Sequence, residues 1–168
     1  SEIFQKIYDC LNGEFPTTTT SKYKAIIDTY DITNFDTDIP INTRPLECPF
    51  ELDTFQKRAV YRIGNFENVF IAAHTSSGKT LAAEWAIAQS LLQSRNAIYT
   101  SPIKALSNQK YRDFKDKFNQ DKYFSSLDIT NENVGIITGD VQVNNSSNCL
   151  VMTTEILRNM IYKCDPYL

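Results

Sequence analysis

The apolar and polar positions of the chain fall into two textures that meet near Pro49. Upstream, Ile3, Phe4, Ile7, Tyr8 and Leu11 recur at i, i+3, i+4 spacing and predict a short helix over 2–12, closed by Gly13. The run Thr17-Thr18-Thr19-Thr20-Ser21 after Pro16 reads as a linker. Residues 25–30 are strand-like. The acids and prolines that follow (Asp31, Asp36, Asp38, Pro40, Pro45, Pro49) predict an extended arm over 22–49, lying on a neighbouring surface. Residues 1–48 are therefore expected to be helix, linker and arm, and 49–168 to be the main domain.

Downstream the pattern alternates. Asp53 followed by Gln56 fits a capping pair, and Phe55, Ala59, Val60 and Ile63 share one side of the helix that follows, which Gly64 ends. Then come a strand over 68–73, a helix over 79–93, a strand over 97–101 and a helix over 104–118. A polar and aromatic connection over 119–132 leads to strands over 133–137 and 149–152 and a helix over 154–162. Strands alternating with helices predict an α/β fold with a mostly parallel sheet flanked by helices, and ligands at the carboxyl ends of the strands.

Composition narrows the class. Apolar residues make up 42% and charged residues 22%, which is globular and not disordered. No apolar run approaches membrane-spanning length and no leader pattern opens the sequence, so the expectation is a soluble intracellular protein without a membrane partner. Net charge is −3, from 17 basic and 20 acidic residues, so nucleic acid would be held by a local surface and not by a general positive field. Cys10, Cys48, Cys149 and Cys164 form no zinc spacing and are expected as buried free thiols. The Asn-x-Ser matches at Asn144 and Asn145 have no meaning without secretion.

The candidate chemistry sits where the strand over 68–73 runs into the helix from 79. The turn His74-Thr75-Ser76-Ser77-Gly78-Lys79-Thr80 reads as a phosphate loop. A loop opening a helix gathers unpaired backbone N–H groups and the positive end of the helix dipole around one anion. Gly78 lets the backbone approach, Lys79 reaches the β- and γ-phosphates, and the Thr80 hydroxyl suits Mg²⁺. Ala73 stands where the motif's first Gly would be, and His74 reads as a turn-packing residue. Three further strand ends carry hydroxyl-rich turns: Thr100-Ser101-Pro102-Ile103-Lys104, Thr138-Gly139-Asp140 and Thr153-Thr154-Glu155. Singly each is a cap or turn. Together, at the same sheet edge as the phosphate loop, they suggest donors that could track a sugar-phosphate backbone.

Five blocks occur in an order that resembles the first half of the superkiller-type, exosome-associated DExH RNA helicases of superfamily 2. They are Phe50 to Gln56, Ala72 to Thr80, Tyr99 to Lys110, Thr138 to Gln142 and Met152 to Arg158. The resemblance covers about 40–168 and implies a RecA-like P-loop domain with ATP and Mg²⁺ as cofactors. It also implies single-stranded RNA and exosome-cofactor complex subunits as partners, and 3′ to 5′ action in RNA degradation. Gly139-Asp140-Val141-Gln142 leans toward the cytoplasmic member, with the nuclear relative as the alternative. By the same likeness Gln56 would bond the adenine edge while Phe50 packs on the ring, chemistry that an amide and an aromatic face both allow. Gln56 could equally serve only the capping box. Thr100, Pro102, Lys104, Gly139, Thr153 and Thr154 would be RNA-backbone contacts.

Departures from the family qualify this picture. Ser77 replaces a usual Ala, and the connection over 119–132 is longer than usual, as a surface insertion would be. No Asp-Glu-x-His follows a strand, and Asp165 before Pro166 does not substitute for it. The sequence thus reads as the N-terminal part of a larger enzyme, truncated before its catalytic carboxylates. It is expected to bind ATP or ADP weakly through Lys79 and Thr80 and not to turn over alone. Two other readings are a non-catalytic nucleotide-binding or protein-interaction module and a related DNA helicase.

Overall fold

Asp53 and Gln56 form the expected capping box, which starts helix α2 (Thr54–Gly64) in the computed structural model. The Gln56 side-chain oxygen accepts from the Asp53 amide at 2.9 Å, and an orphan donor at the helix start is thereby satisfied. The structure describes residues 27–74, 77–118 and 133–165. The chain resolves into two compact units, Ser1–Tyr30 and Asp31–Leu168. The anticipated boundary after residue 48 therefore falls inside the second unit. In the first unit the Asp28 carboxylate accepts from the Tyr30 amide. The helix expected over 2–12, the linker and Cys10 lie outside the described residues, as does the connection over 119–132.

The segment after Asp31 is a correction to the extended arm. It forms short helical turns at Ile32–Asn34, at α1 (Phe35–Asp38) and at Ile41–Thr43. Asp31 caps the first of these, accepting from the Thr33 amide at 3.0 Å and the Thr33 hydroxyl at 2.8 Å. Phe35 is 1% exposed, with the Arg44 guanidinium 4.9 Å and the Lys57 ammonium 5.8 Å from its ring centroid. Acids and prolines set the turns, but one aromatic and Leu46, both buried, pull the segment onto the domain. Residues 27–30 of the strand-like piece form no strand.

Helix α3 (Lys79–Leu92) follows, then strand β1 (Ala97–Ser101) and helix α4 (Lys104–Phe118). After the undescribed connection come β2 (Val134–Ile137), β3 (Gln142–Val143), β4 (Cys149–Thr153) and α5 (Thr154–Lys163). The sheet order is β1-β4-β2-β3. β1 and β2 both run parallel to β4, and only β3, which the sequence pattern did not suggest, is antiparallel. This is the expected α/β architecture with a mostly parallel sheet. All five residues of β4 are buried, as an apolar run between two parallel neighbours requires. α4 packs along β1, β4 and β2, with Phe114 edge-on to Tyr99 at 5.3 Å and stacked on Phe118 at 6.1 Å. Cys149 is a free, buried thiol, whereas Cys48 is half-buried and Cys164 exposed. Burial pushes the Cys149 thiol up to about 12. Among the described residues no helix is long and apolar enough to cross a membrane.

The strand expected over 68–73 is absent, a second correction. Those residues are irregular, Phe70 is 93% exposed, and they pair with no described strand. β-propensity records how well a residue fits a pleated, half-buried surface. Without a neighbouring ladder to satisfy its amides and carbonyls, an apolar run has no reason to stay extended.

Candidate nucleotide and RNA site

Glycine is required at the corner of the phosphate loop. Gly78 has φ of 78° and caps α3 in the left-handed region. A Cβ there would lie 2.5 Å from the Gln56 side-chain nitrogen. That nitrogen donates to the Gly78 carbonyl at 3.3 Å, so Gln56 joins the capping box to the loop. Gln56 is 4% exposed, and two of its bonds are internal. One amide hydrogen and one lone pair remain for a base edge. Capping and base recognition are compatible in this geometry.

Lys79 and Thr80 open α3, where first-turn amides have no intrahelical acceptor. The Lys79 ammonium donates to the loop's own carbonyls, to Ala73 at 2.6 Å and His74 at 2.5 Å. The loop is therefore curled onto the lysine that would meet a phosphate. His74 is exposed, and its carbonyl also accepts from the Ser77 amide at 3.3 Å. The Ser77 hydroxyl is enclosed without a hydrogen-bond partner among the described residues. Thr75 and Ser76 lie outside the described residues.

A cavity of about 230 Å³ opens beside this corner, lined by Cys48, Phe50, Gln56, Thr80, Glu84 and Lys117 among others. Phe50 is half exposed, a ring face available for stacking. The buried Glu84 carboxylate accepts from Lys117 at 2.5 Å, so the wall of the cavity carries a compensated charge pair. Sequence reasoning did not find this pair, because positions 84 and 117 are linked only by packing. Desolvation pushes the Cys48 thiol up, opposed by Arg44 and Lys117 and reinforced by Glu84.

The residues fit a nucleoside triphosphate. The glycine corner, the helix start, Lys79 and the unpartnered Ser77 hydroxyl suit the phosphates, and the Thr80 hydroxyl at the start of α3 suits Mg²⁺. Among the described residues no cluster of three or more His, Cys, Asp or Glu could hold a metal by itself.

The second set of candidates lies at the carboxyl edge of the sheet. Ser101 pairs with Thr153 and Ile137 with Met152, so the three parallel strands end nearly level. Pro102, Lys104, Gly139 and Thr154 are exposed there and Thr100 is half-buried. Thr153 is 6% exposed, so its side chain belongs to the core. The Thr154 hydroxyl donates to the Ser101 carbonyl at 3.2 Å, and the Ser101 hydroxyl bonds Ser107 at 2.7 Å. Lys104 pairs with Asp140 at 2.5 Å.

No described strand leads into the phosphate loop at this edge, because the strand expected over 68–73 is absent from the sheet. The row adjoins Lys104, the first residue of α4, whereas the cavity beside Gly78 is walled by Lys117 near the other end of that helix. Lys104 and Lys117 lie thirteen residues, about 20 Å, apart along α4.

A model of the DEAD/DEAH box helicase family matches residues 53–166. The chain is 55% identical over 134 residues to the antiviral helicase SKI2 of Saccharomyces cerevisiae, covering 80% of this chain and 9% of that protein. It is 53% identical over 117 residues to the DExH-box ATP-dependent RNA helicase DExH9 of Arabidopsis thaliana, 70% of this chain and 10% of the relative. With the human exosome RNA helicase MTR4 it shares 49% over 117 residues, again 70% and 10%. The chain thus spans about a tenth of the length of these curated relatives. Because the family model takes in every element from the capping box of α2 to the end of α5, the chain belongs to the DEAD/DEAH box helicases.

Proposed function

We propose that this chain is the ATP-gripping, RNA-guiding part of the first RecA-like domain of an ATP-dependent RNA helicase. The whole protein would move 3′ to 5′ along single-stranded RNA in exosome-linked RNA degradation, with superkiller-complex subunits as partners. The observation that carries the reading is the corner at Gly78, where Gln56 locks a left-handed glycine against the start of α3 beside Lys79 and Thr80. Likeness to an antiviral helicase SKI2 and an exosome RNA helicase MTR4 supports the RNA assignment. The Gly139-Asp140-Val141-Gln142 block favours the cytoplasm as its compartment.

Bound Mg·ATP supplies the phosphoryl bond whose cleavage powers the cycle. Lys79 would leave the carbonyls of Ala73 and His74 to turn its ammonium to the phosphates, and the Thr80 hydroxyl would hold the metal. Gln56 and Phe50 orient the base. Lys104, Gly139 and Thr154 lie along the RNA backbone, with exposed Pro102 beside them. The Asp-Glu-x-His carboxylates are not in these 168 residues, so binding without turnover is expected of this chain.

Titration of labelled ADP and ATP into the wild-type chain and Lys79→Ala tests the reading. Affinity should fall at least tenfold in the variant with an unchanged melting point. Equal affinity would remove Lys79 from the phosphate site. A labelled single-stranded RNA should bind in preference to the DNA of the same sequence, and the reverse preference would favour a DNA helicase.

A further inference from the structure

The turns after β1 and β2 are joined by an ion pair that passes over the end of β4. β1 and β2 flank β4 in the sheet and so lie about 10 Å apart. Lys104 stands three residues beyond the end of β1 and Asp140 three beyond the end of β2, and their 2.5 Å contact closes that gap. Beneath it is the turn from β4 into α5, where the Thr154 hydroxyl bonds the Ser101 carbonyl. Gly139 shapes the crossing. A Cβ there would come within 3.3 Å of the Lys104 nitrogen and 3.5 Å of its terminal carbon, so the missing side chain is the bed on which the lysine lies.

We propose that Asp140 is an internal stand-in for a nucleic-acid phosphate. Its carboxylate straps Lys104 across the carboxyl edge of the sheet, and an RNA phosphate must displace it to follow the row. The inference rests on the RNA reading of that edge and adds a residue which opposes binding. A carboxylate and a phosphate diester both present singly charged oxygens to the same ammonium and repel each other when both approach it, so Asp140 and a phosphate compete for Lys104. Both side chains are largely exposed, at 53% and 72%. The strap is therefore a weak contact of the kind that exchanges readily, suited to tuning affinity and not to blocking the track.

The test is a mutant cycle on the 168-residue chain, read by anisotropy of a labelled oligouridylate at one fixed, low salt concentration. Asp140→Asn should tighten RNA binding by about two- to fivefold, the size of an exposed ion pair. Lys104→Ala should weaken it, and adding Asp140→Asn to Lys104→Ala should give no further gain. An Asp140→Asn variant that binds equally or more weakly would overturn the strap, because Asp140 would then be neutral or would position Lys104 for RNA. A gain of equal size in the Lys104→Ala background would also overturn it, leaving only general repulsion. Wild-type chain that binds no RNA would bring down the RNA reading of the edge together with the strap. Wild-type binding that is insensitive to Asp140→Asn brings down the strap alone.

Discussion

The side-chain nitrogen of Gln56 donates to the carbonyl of Gly78 at 3.3 Å while its oxygen accepts from the Asp53 amide at 2.9 Å. One side chain thus ties a helix start to the phosphate loop, over 22 residues of sequence. Gly78→Ala must hold a left-handed φ and also displace Gln56. The expected cost is about 1–3 kcal/mol by urea denaturation, with loss of ADP binding. A fully stable variant that binds ADP would mean the corner is not held as described.

Gln56→Ala removes the cap partner and the loop contact together. It should lose about 1–2 kcal/mol and blunt any preference for ADP over GDP. If stability falls and the nucleotide ratio stays fixed, Gln56 serves only as a cap.

Lys117→Ala leaves the Glu84 carboxylate, at 9% side-chain exposure, without its partner. Because Lys117 itself is 36% exposed, a loss of about 1–3 kcal/mol is expected, less than for a fully buried pair. Lys117→Ala with Glu84→Gln should recover part of it, measured by the same denaturation.

Cys48 lines the cavity, and its thiol is raised above the ordinary value of 9.0, chiefly by desolvation. At pH 8 less of it is thiolate than of an unperturbed thiol, so iodoacetamide should label it slowly and faster as pH rises. Saturating ADP should slow the labelling further. Unchanged labelling, followed by mass spectrometry, would show that nucleotide does not enter this cavity.

Phe70 and Phe114 should respond in opposite ways. Phe114, 1% exposed against Tyr99, should cost about 3–5 kcal/mol on change to Ala. Phe70, 93% exposed, should be neutral to within about 0.5 kcal/mol on change to Ser. A large penalty at Phe70 would mean that residues 68–73 pack as a strand in solution.

Local chemistry was legible in the sequence wherever one segment carries its own partners. The capping box at Asp53 and Gln56 closes within one turn, and the helix over 104–118 and the strand over 97–101 occur as their periodicities require. At Gly78 the sequence pointed only to close approach of the backbone, and the left-handed φ came from the structure. Tertiary structure decided whatever needed a distant neighbour. Residues 68–73 are apolar enough for a strand but lack a ladder. Phe35 has the rest of the domain to bury it, which turns an expected arm into packed turns. The Gln56–Gly78, Glu84–Lys117 and Lys104–Asp140 contacts span 22 to 36 residues. Hydrogen bonds and caps are specified by adjacent residues, whereas burial and charge pairing depend on which surfaces the sheet brings together, and no single segment records that.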